Sequence, residues 1–301
     1  MDIVLGPNQY GKAETRLLRV YRDSDRHEIR DLSVSTSLRG DFAGAYTRGD
    51  QAHVLPTDTQ KNTCFAYAKE KGVGEIEAYA TELAGHFVDD VEFVAGARVE
   101  VDEYRWDRVR VGQTGHAHTF VRAGPDVRTT AVTVEGKGAR RQVWVVSGLK
   151  DLVVLKSTGS EFSGYLTDRY TTLQETADRV LATSLTARWR YGAAGVDWGG
   201  AYAQIRGILL ERFATVHSRA LQQSLWEMGR AVLRERSDVA EIRLSAPNRH
   251  HFLVDLAPFG LPNPGEVFYA ADRPYGLIQC GVERDDAPPP GMAWHSPEAF
   301  A

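Results

Sequence analysis

Cysteine is scarce in this chain: Cys64 and Cys280 are the only ones in 301 residues. They fall in segments that read as a helix and a strand, which leaves no disulfide framework and makes a reducing compartment the default. No run of about 18 apolar residues occurs, so nothing is expected to span a membrane. Basic residues are not in excess, with 36 Lys and Arg against 40 Asp and Glu and a formal net charge of -4. Without a positive field to gather phosphates, nucleic acid is not an expected partner. A Gly-rich dinucleotide fingerprint is missing as well. The first residues, Met1 to Gly6, lack the basic and long apolar regions of a signal peptide, and Glu298 to Ala301 carry no peroxisomal address. A cytoplasmic location is therefore the expectation.

What is present suits a globular protein with a real core, at 43% hydrophobic and 25% charged residues. Residues 12 to 22 and 27 to 38 alternate apolar and polar side chains around the turn-forming Asp23-Ser24-Asp25, which predicts a hairpin. Helices are predicted from Thr57 through Lys71 and from Glu75 to Val88, followed by long strands over Val91–Val109 and His116–Glu135. After Lys137-Gly138 the order recurs: strand over 141 to 156, strand near 184 to 191, helices from Trp198 and Ser218, then strands from Val239. The repeated order of hairpin, helix pair and hairpin predicts an α+β fold of two antiparallel units, residues 1–138 and 139–284, with 285–301 as a loosely attached tail. Long exposed strand edges call for partners, so an oligomer sealed through them is expected.

The stretch from Leu155 to Arg179 organises the chain. A strand ending at Leu155 leads into a small-residue loop holding Phe162, and a helix is predicted from Thr171 or Thr172, with Gln174 and Glu175 placed for a capping box. Leu173, Ala177, Val180 and Leu181 would face a core, leaving Arg179 pointing elsewhere. Two readings fit. Phe162 is core and Arg179 a surface ion-pair partner, or the phenyl face and the guanidinium fork together hold a flat, anionic, hydrogen-bonding ring.

Other candidates carry a bland reading beside the chemical one. Lys12 begins a strand after Gly6 and Gly11, where an amine is either solvated or partly desolvated and a weaker base. Thr57 and Asp58 are a plain helix start, or a hydroxyl offered together with outward-pointing amides. Gln222, beside Gln223 at another helix start, can serve both a donor and an acceptor on a heterocycle edge. Pro247-Asn248-Arg249-His250-His251 forms a polar knot between strands, where His250 can relay protons near neutral pH. His116 and His118 share one strand face at a spacing that can hold a metal, but no third ligand is suggested nearby.

Taken together, these segments resemble the urate oxidase (uricase) family. The matching pieces are Asn8 to Lys12, Thr57 to Thr63, Leu155 to Thr158 with Ser160 and Phe162, Asp168, Tyr170 to Leu173, Asp178-Arg179, Leu221-Gln222, Pro247 to His250 and Glu266 to Phe268. They run in order over nearly the whole chain. Departures are Pro56, Ser163, Thr167 and Arg249, none of which removes a reacting group. The resemblance implies a tunnelling fold assembled as a homotetramer around a central tunnel, with active sites at subunit interfaces. It implies oxidation of urate by dioxygen and water to 5-hydroxyisourate and hydrogen peroxide, with no metal or other cofactor. Arg179 and Gln222 would grip the purine in its plane, Phe162 would stack on it, and the Leu221 amide would add a donor. Lys12, Thr57 and Asp58 would come from a neighbouring subunit. Lys12, Thr57 and His250 would relay protons, and Asn248 with Thr57 would hold dioxygen and then water above the ring. The rivals are a zinc-dependent tunnelling-fold enzyme acting on pterins or related purines, which needs a third histidine near His116 and His118, and a relative that binds a purine without oxidising it.

Overall fold

The structure, a computed structural model, describes residues 2–192, 195–271 and 273–296. It divides into two compact units: the chain up to Gly148 joined by the segment from Pro288 onward, and Leu149–Ala287.

In the first unit β1 (Tyr10–Tyr21) and β2 (Glu28–Gly40) pair antiparallel through the predicted turn, which Ser24 closes by accepting the Arg26 N–H on its hydroxyl at 3.2 Å. A short helix, α1 (Ala43–Arg48), precedes α2 (Thr57–Glu70) and α3 (Ile76–Asp90). Then β3 (Val94–Val111) and β4 (Thr114–Glu135) form a long hairpin, and the sheet order is β1-β2-β3-β4 with β5 (Gln142–Lys156) beyond β4. Helix α3 buries Ile76, Tyr79, Leu83 and Phe87 at the predicted spacing of three and four. They meet Leu32, Val34, Val99, Val101, Val132 and Val134 on the alternating face of the strands.

The second unit repeats the plan. Its strands run in the order β5, β6 (Leu181–Tyr191), β7 (Val239–Arg249) and β10 (Gly276–Glu283). Helices α4 (Trp198–Thr215) and α5 (Leu221–Glu235) bury Ile205, Leu209 and Phe213, and Leu221, Leu225, Met228 and Val232, against Leu185, Trp189, Ile242 and Leu244. Each such side chain taken from water contributes about 1.5–3 kcal/mol before entropy is counted. A small pair, β8 (His251–Leu253) with β9 (Phe268–Ala270), is inserted between β7 and β10.

Three sequence expectations are corrected. The helix predicted from Thr171 or Thr172 does not form: residues 157–180 have no regular helix, and Leu181 opens β6. The Glu175 carboxylate accepts the Gly164 N–H at 2.7 Å instead of completing a capping box, and Thr176 exchanges backbone hydrogen bonds with Phe162. Of the predicted apolar stripe only Leu181 is buried, as the first residue of β6, while Leu173 is 59% exposed. The division between units falls inside β5, at Gly148 and Leu149, later than the Lys137-Gly138 turn. Nor are residues 285–296 of the expected tail loosely attached; 297–301 lie outside the described residues. Ala293 is buried, its carbonyl accepts from Arg98 at 3.4 Å, and the His295 Nε2 lies 3.2 Å from Gln9 Oε1. Gly291, at φ +50, lies so close to Trp144 that a Cβ would sit 2.4 Å from the indole nitrogen. Packing through a carbonyl and a glycine leaves no hydrophobic period to read.

Candidate active site

The candidate residues fall into two sets. Lys12, Thr57 and Asp58 belong to the first unit, while Phe162, Arg179, Leu221, Gln222, Asn248 and His250 belong to the second.

In the first unit Lys12 stands on β1 just before a break in the β1–β2 register, and its N–H reaches the Thr36 hydroxyl at 3.2 Å. Thr57 and Asp58 are the opening residues of α2. The residue before them, Pro56, has no side-chain acceptor to cap the helix, so the first amides are left for another acceptor. Lys61 pairs with the Asp58 carboxylate and holds it below the usual carboxylate range, with Asn62 and then Lys12 adding to the effect.

In the second unit one carboxylate organises the loop. Asp178 accepts from the Thr158 hydroxyl at 2.7 Å and from the Gly159 and Ser160 amides at 2.9 and 3.4 Å. These bonds, the Thr158 one first, hold it below its ordinary pKa. The next residue, Arg179, donates its N–H to the Ser160 carbonyl at 2.7 Å. Its guanidinium carbon lies 5.1 Å from the centre of the Phe162 ring. Burial lowers the Arg179 pKa, because charge is costly where water is thin.

Ser160 also ties this loop to α5. It forms a parallel bridge with Ser218, and the Glu161 N–H donates to the Ser218 carbonyl at 2.8 Å. The Ser224 hydroxyl on α5 reaches the Ser218 hydroxyl at 2.8 Å. The start of α5, with Leu221 buried and Gln222 exposed, is thereby anchored beside Phe162 and Arg179. Its N-cap is Ala220, again without a capping side chain. Asn248 lies near the end of β7, opposite Thr183 on β6 and Gly276 on β10. His250 follows in the break between β7 and β8, its pKa lowered by burial and then by the positive Arg179. Arg179 thus lies over the Phe162 ring and acts electrostatically on His250.

His116 and His118 stack edge to face at 4.5 Å between ring centres. Among the described residues, no group of three His, Cys, Asp or Glu side chains is placed to hold a metal.

The profile of the uricase family matches residues 8–133 and 145–279. A uricase of Arthrobacter globiformis is 49% identical over 298 residues, covering 99% of this chain and 96% of that one. The chain belongs to the uricase family. A Cyberlindnera jadinii uricase is 35% identical over 95% of this chain and 99% of its own length. The crystal structure of the Arthrobacter globiformis uricase superposes with a TM-score of 0.90 at 50% identity, covering 96% of this chain and 98% of that one. The α+β repeat described above is therefore the uricase fold.

Sequence reasoning missed two contributors to this candidate site of a uricase-family chain. Tyr165 stacks on Phe162 at 4.9 Å with rings 17° apart, and its hydroxyl donates to the Leu173 carbonyl at 2.7 Å. A second aromatic three residues after the first, in a glycine-flanked loop, was the available signal. Ser218 gave none, since its partners, the Glu161 N–H and the Ser224 hydroxyl, are set by the fold.

Proposed function

We propose that this uricase-family chain oxidises urate with dioxygen and water to 5-hydroxyisourate and hydrogen peroxide, in a site completed by a neighbouring subunit of a homotetramer. The observation that carries the reading is the Arg179 guanidinium held 5.1 Å from the Phe162 ring centre, on a loop tied by the Asp178 carboxylate to Thr158 and Gly159. A flat anion fits that corner: the ring lies against the phenyl face while the cation takes its polar edge through charge-assisted bonds. Gln222 and the Leu221 amide grip the other edge, and the uncapped start of α2 adds donors from the adjoining subunit.

Ground-state dioxygen is a triplet, so direct two-electron reaction with urate is spin-forbidden. Lys12, acting through the Thr57 hydroxyl, removes a second proton and makes the ring a stronger one-electron reductant. Dioxygen takes one electron, the radicals combine at C5, and peroxide leaves. Water, held with dioxygen's former contacts at Asn248 and Thr57, then adds at C5. His250 exchanges protons on the far side, kept neutral by burial and by Arg179. The residues need no metal or flavin for these steps. The working location is the cytoplasm.

Loss of urate absorbance with equimolar peroxide release, in protein stripped by chelator, tests the activity; urate left intact overturns it. The shared site is tested by complementation. Chains carrying Lys12→Met, inactive alone, and chains carrying Arg179→Gln, nearly silent alone at low urate, regain low-urate turnover when co-assembled. No recovery in mixed assemblies would place both sets of residues within one subunit.

A further inference from the structure

We propose that Thr36 and Gln60 are positioning residues for the reaction, fixing the strand that carries Lys12 against the helix start that carries Thr57. This rests on the reading of Lys12 and Thr57 as base and relay. The β1–β2 ladder pairs Tyr10 to Lys12 with Leu38 to Thr36, then slips before Thr15 meets Val34. Glu14 occupies the slip at φ 54, with its N–H on the Ser35 hydroxyl at 2.9 Å. At this break the Lys12 N–H turns to the Thr36 side chain, at 3.2 Å. The Thr36 hydroxyl in turn donates to Gln60 Oε1 at 2.7 Å. Gln60 Nε2 donates to the Leu55 carbonyl at 3.4 Å, and the Tyr10 hydroxyl reaches that same carbonyl at 3.1 Å.

The circuit is closed. It leaves β1 at Lys12, crosses β2 and α2, and returns to β1 at Tyr10, passing through the residue two before Thr57. From Lys12 through Thr36 and Gln60 the donors run in one direction and the bonds polarise one another; at the Leu55 carbonyl that chain meets the opposing donor from Tyr10. Gln60 is fully buried on the face of α2 shared with Cys64 and Ala68, where an apolar side chain would fill the space without needing partners. A buried amide at this position supplies geometry more than packing. Gly11 serves the same end: a Cβ there would lie 1.7 Å from the Thr36 carbonyl oxygen, so only glycine lets the strands approach this closely beside Lys12.

The test uses the full-length assembled protein. Thr36→Val keeps the shape and deletes the hydroxyl, Thr36→Ser returns it, and Gln60→Met cuts the circuit from the other side. Thr36→Val and Gln60→Met should each lower kcat for urate by about ten- to a hundredfold. The dissociation constant of an unreactive purine analogue should stay within about twofold of the unaltered protein, and Thr36→Ser should recover most of the rate. A purely structural role would lower thermal stability with kcat per folded site unchanged, which overturns the proposal. Lys12→Met is measured alongside. If it alone abolishes turnover while Thr36→Val does not, the positioning role fails and the base stands; if Lys12→Met leaves turnover intact, the reading of the base fails instead. Should Gln60→Met not fold, the Thr36 pair decides.

Discussion

The two units share a scaffold and differ in what joins its strands. In the first, β1 passes to β2 through residues 22–27, and β3 to β4 through Gly112 and Gln113 alone. In the second, residues 157–180 separate β5 from β6, and residues 250–275 separate β7 from β10. Those long connections carry Phe162, Arg179 and His250. The first unit places its own candidates on the scaffold itself, at a strand and a helix start. The proposed grip on a ring by Phe162 and Arg179 thus sits on a long connection, while two of the proposed proton-relay groups, Lys12 and Thr57, sit on the scaffold and the third, His250, on the other connection.

Breaking the loop side should show first in binding. Arg179→Gln removes the charge-assisted grip and should raise KM about a hundredfold, measured by urate absorbance over a wide concentration range. An unchanged KM would remove the anion corner from the comparison. Asp178→Asn keeps the shape but turns an acceptor of three donors into a poorer one. Its KM should rise about tenfold, with Asp178→Ala worse. If kcat falls and KM does not, the loop does more than grip.

On the scaffold side, Pro56→Ser supplies the side-chain acceptor that α2 lacks. Helix stability should gain about 0.5–1 kcal/mol in thermal unfolding, while KM rises a few-fold as the new hydroxyl competes for the first amides. A gain in stability with no change in KM would mean those amides are not used. The smallest effect concerns His250, whose pKa burial and then Arg179 depress below 6.5. Folding therefore disfavours its protonated form, and its contribution to stability declines as pH falls through the unfolded value. In Arg179→Gln the imidazole NMR titration should move upward only part of the way, because burial, the larger cause, remains. An unchanged titration would place His250 away from Arg179.

Much of the scaffold was legible because it follows periodicity. Leu221, Leu225, Met228 and Val232 announce α5, and the alternation around Asp23 to Asp25 announces the first hairpin. The loop of 157–180 was misread because Thr172 and Glu175 match a capping box locally, while the decisive partner of Glu175 is the amide of Gly164. Arg179 and Phe162 are identifiable as residue types in a suggestive setting, but nothing marks Asp178 beyond its place beside Arg179. Its role is set by the fold, since its three donors come from residues 158–160. Gln60 is the hardest case. On a helix rich in polar residues, one fully buried glutamine has the same appearance as its exposed neighbours.

The docked C-terminal segment has a practical side. His295 meets Gln9, and three residues beyond Gln9 along the strand lies Lys12. Anything that pulls on the chain's end, whether a surface anchor, a fused protein or a clipped terminus, pulls on the strand leading to the proposed base. For immobilisation or fusion, the 22–27 turn at the opposite end of that strand is the gentler handle.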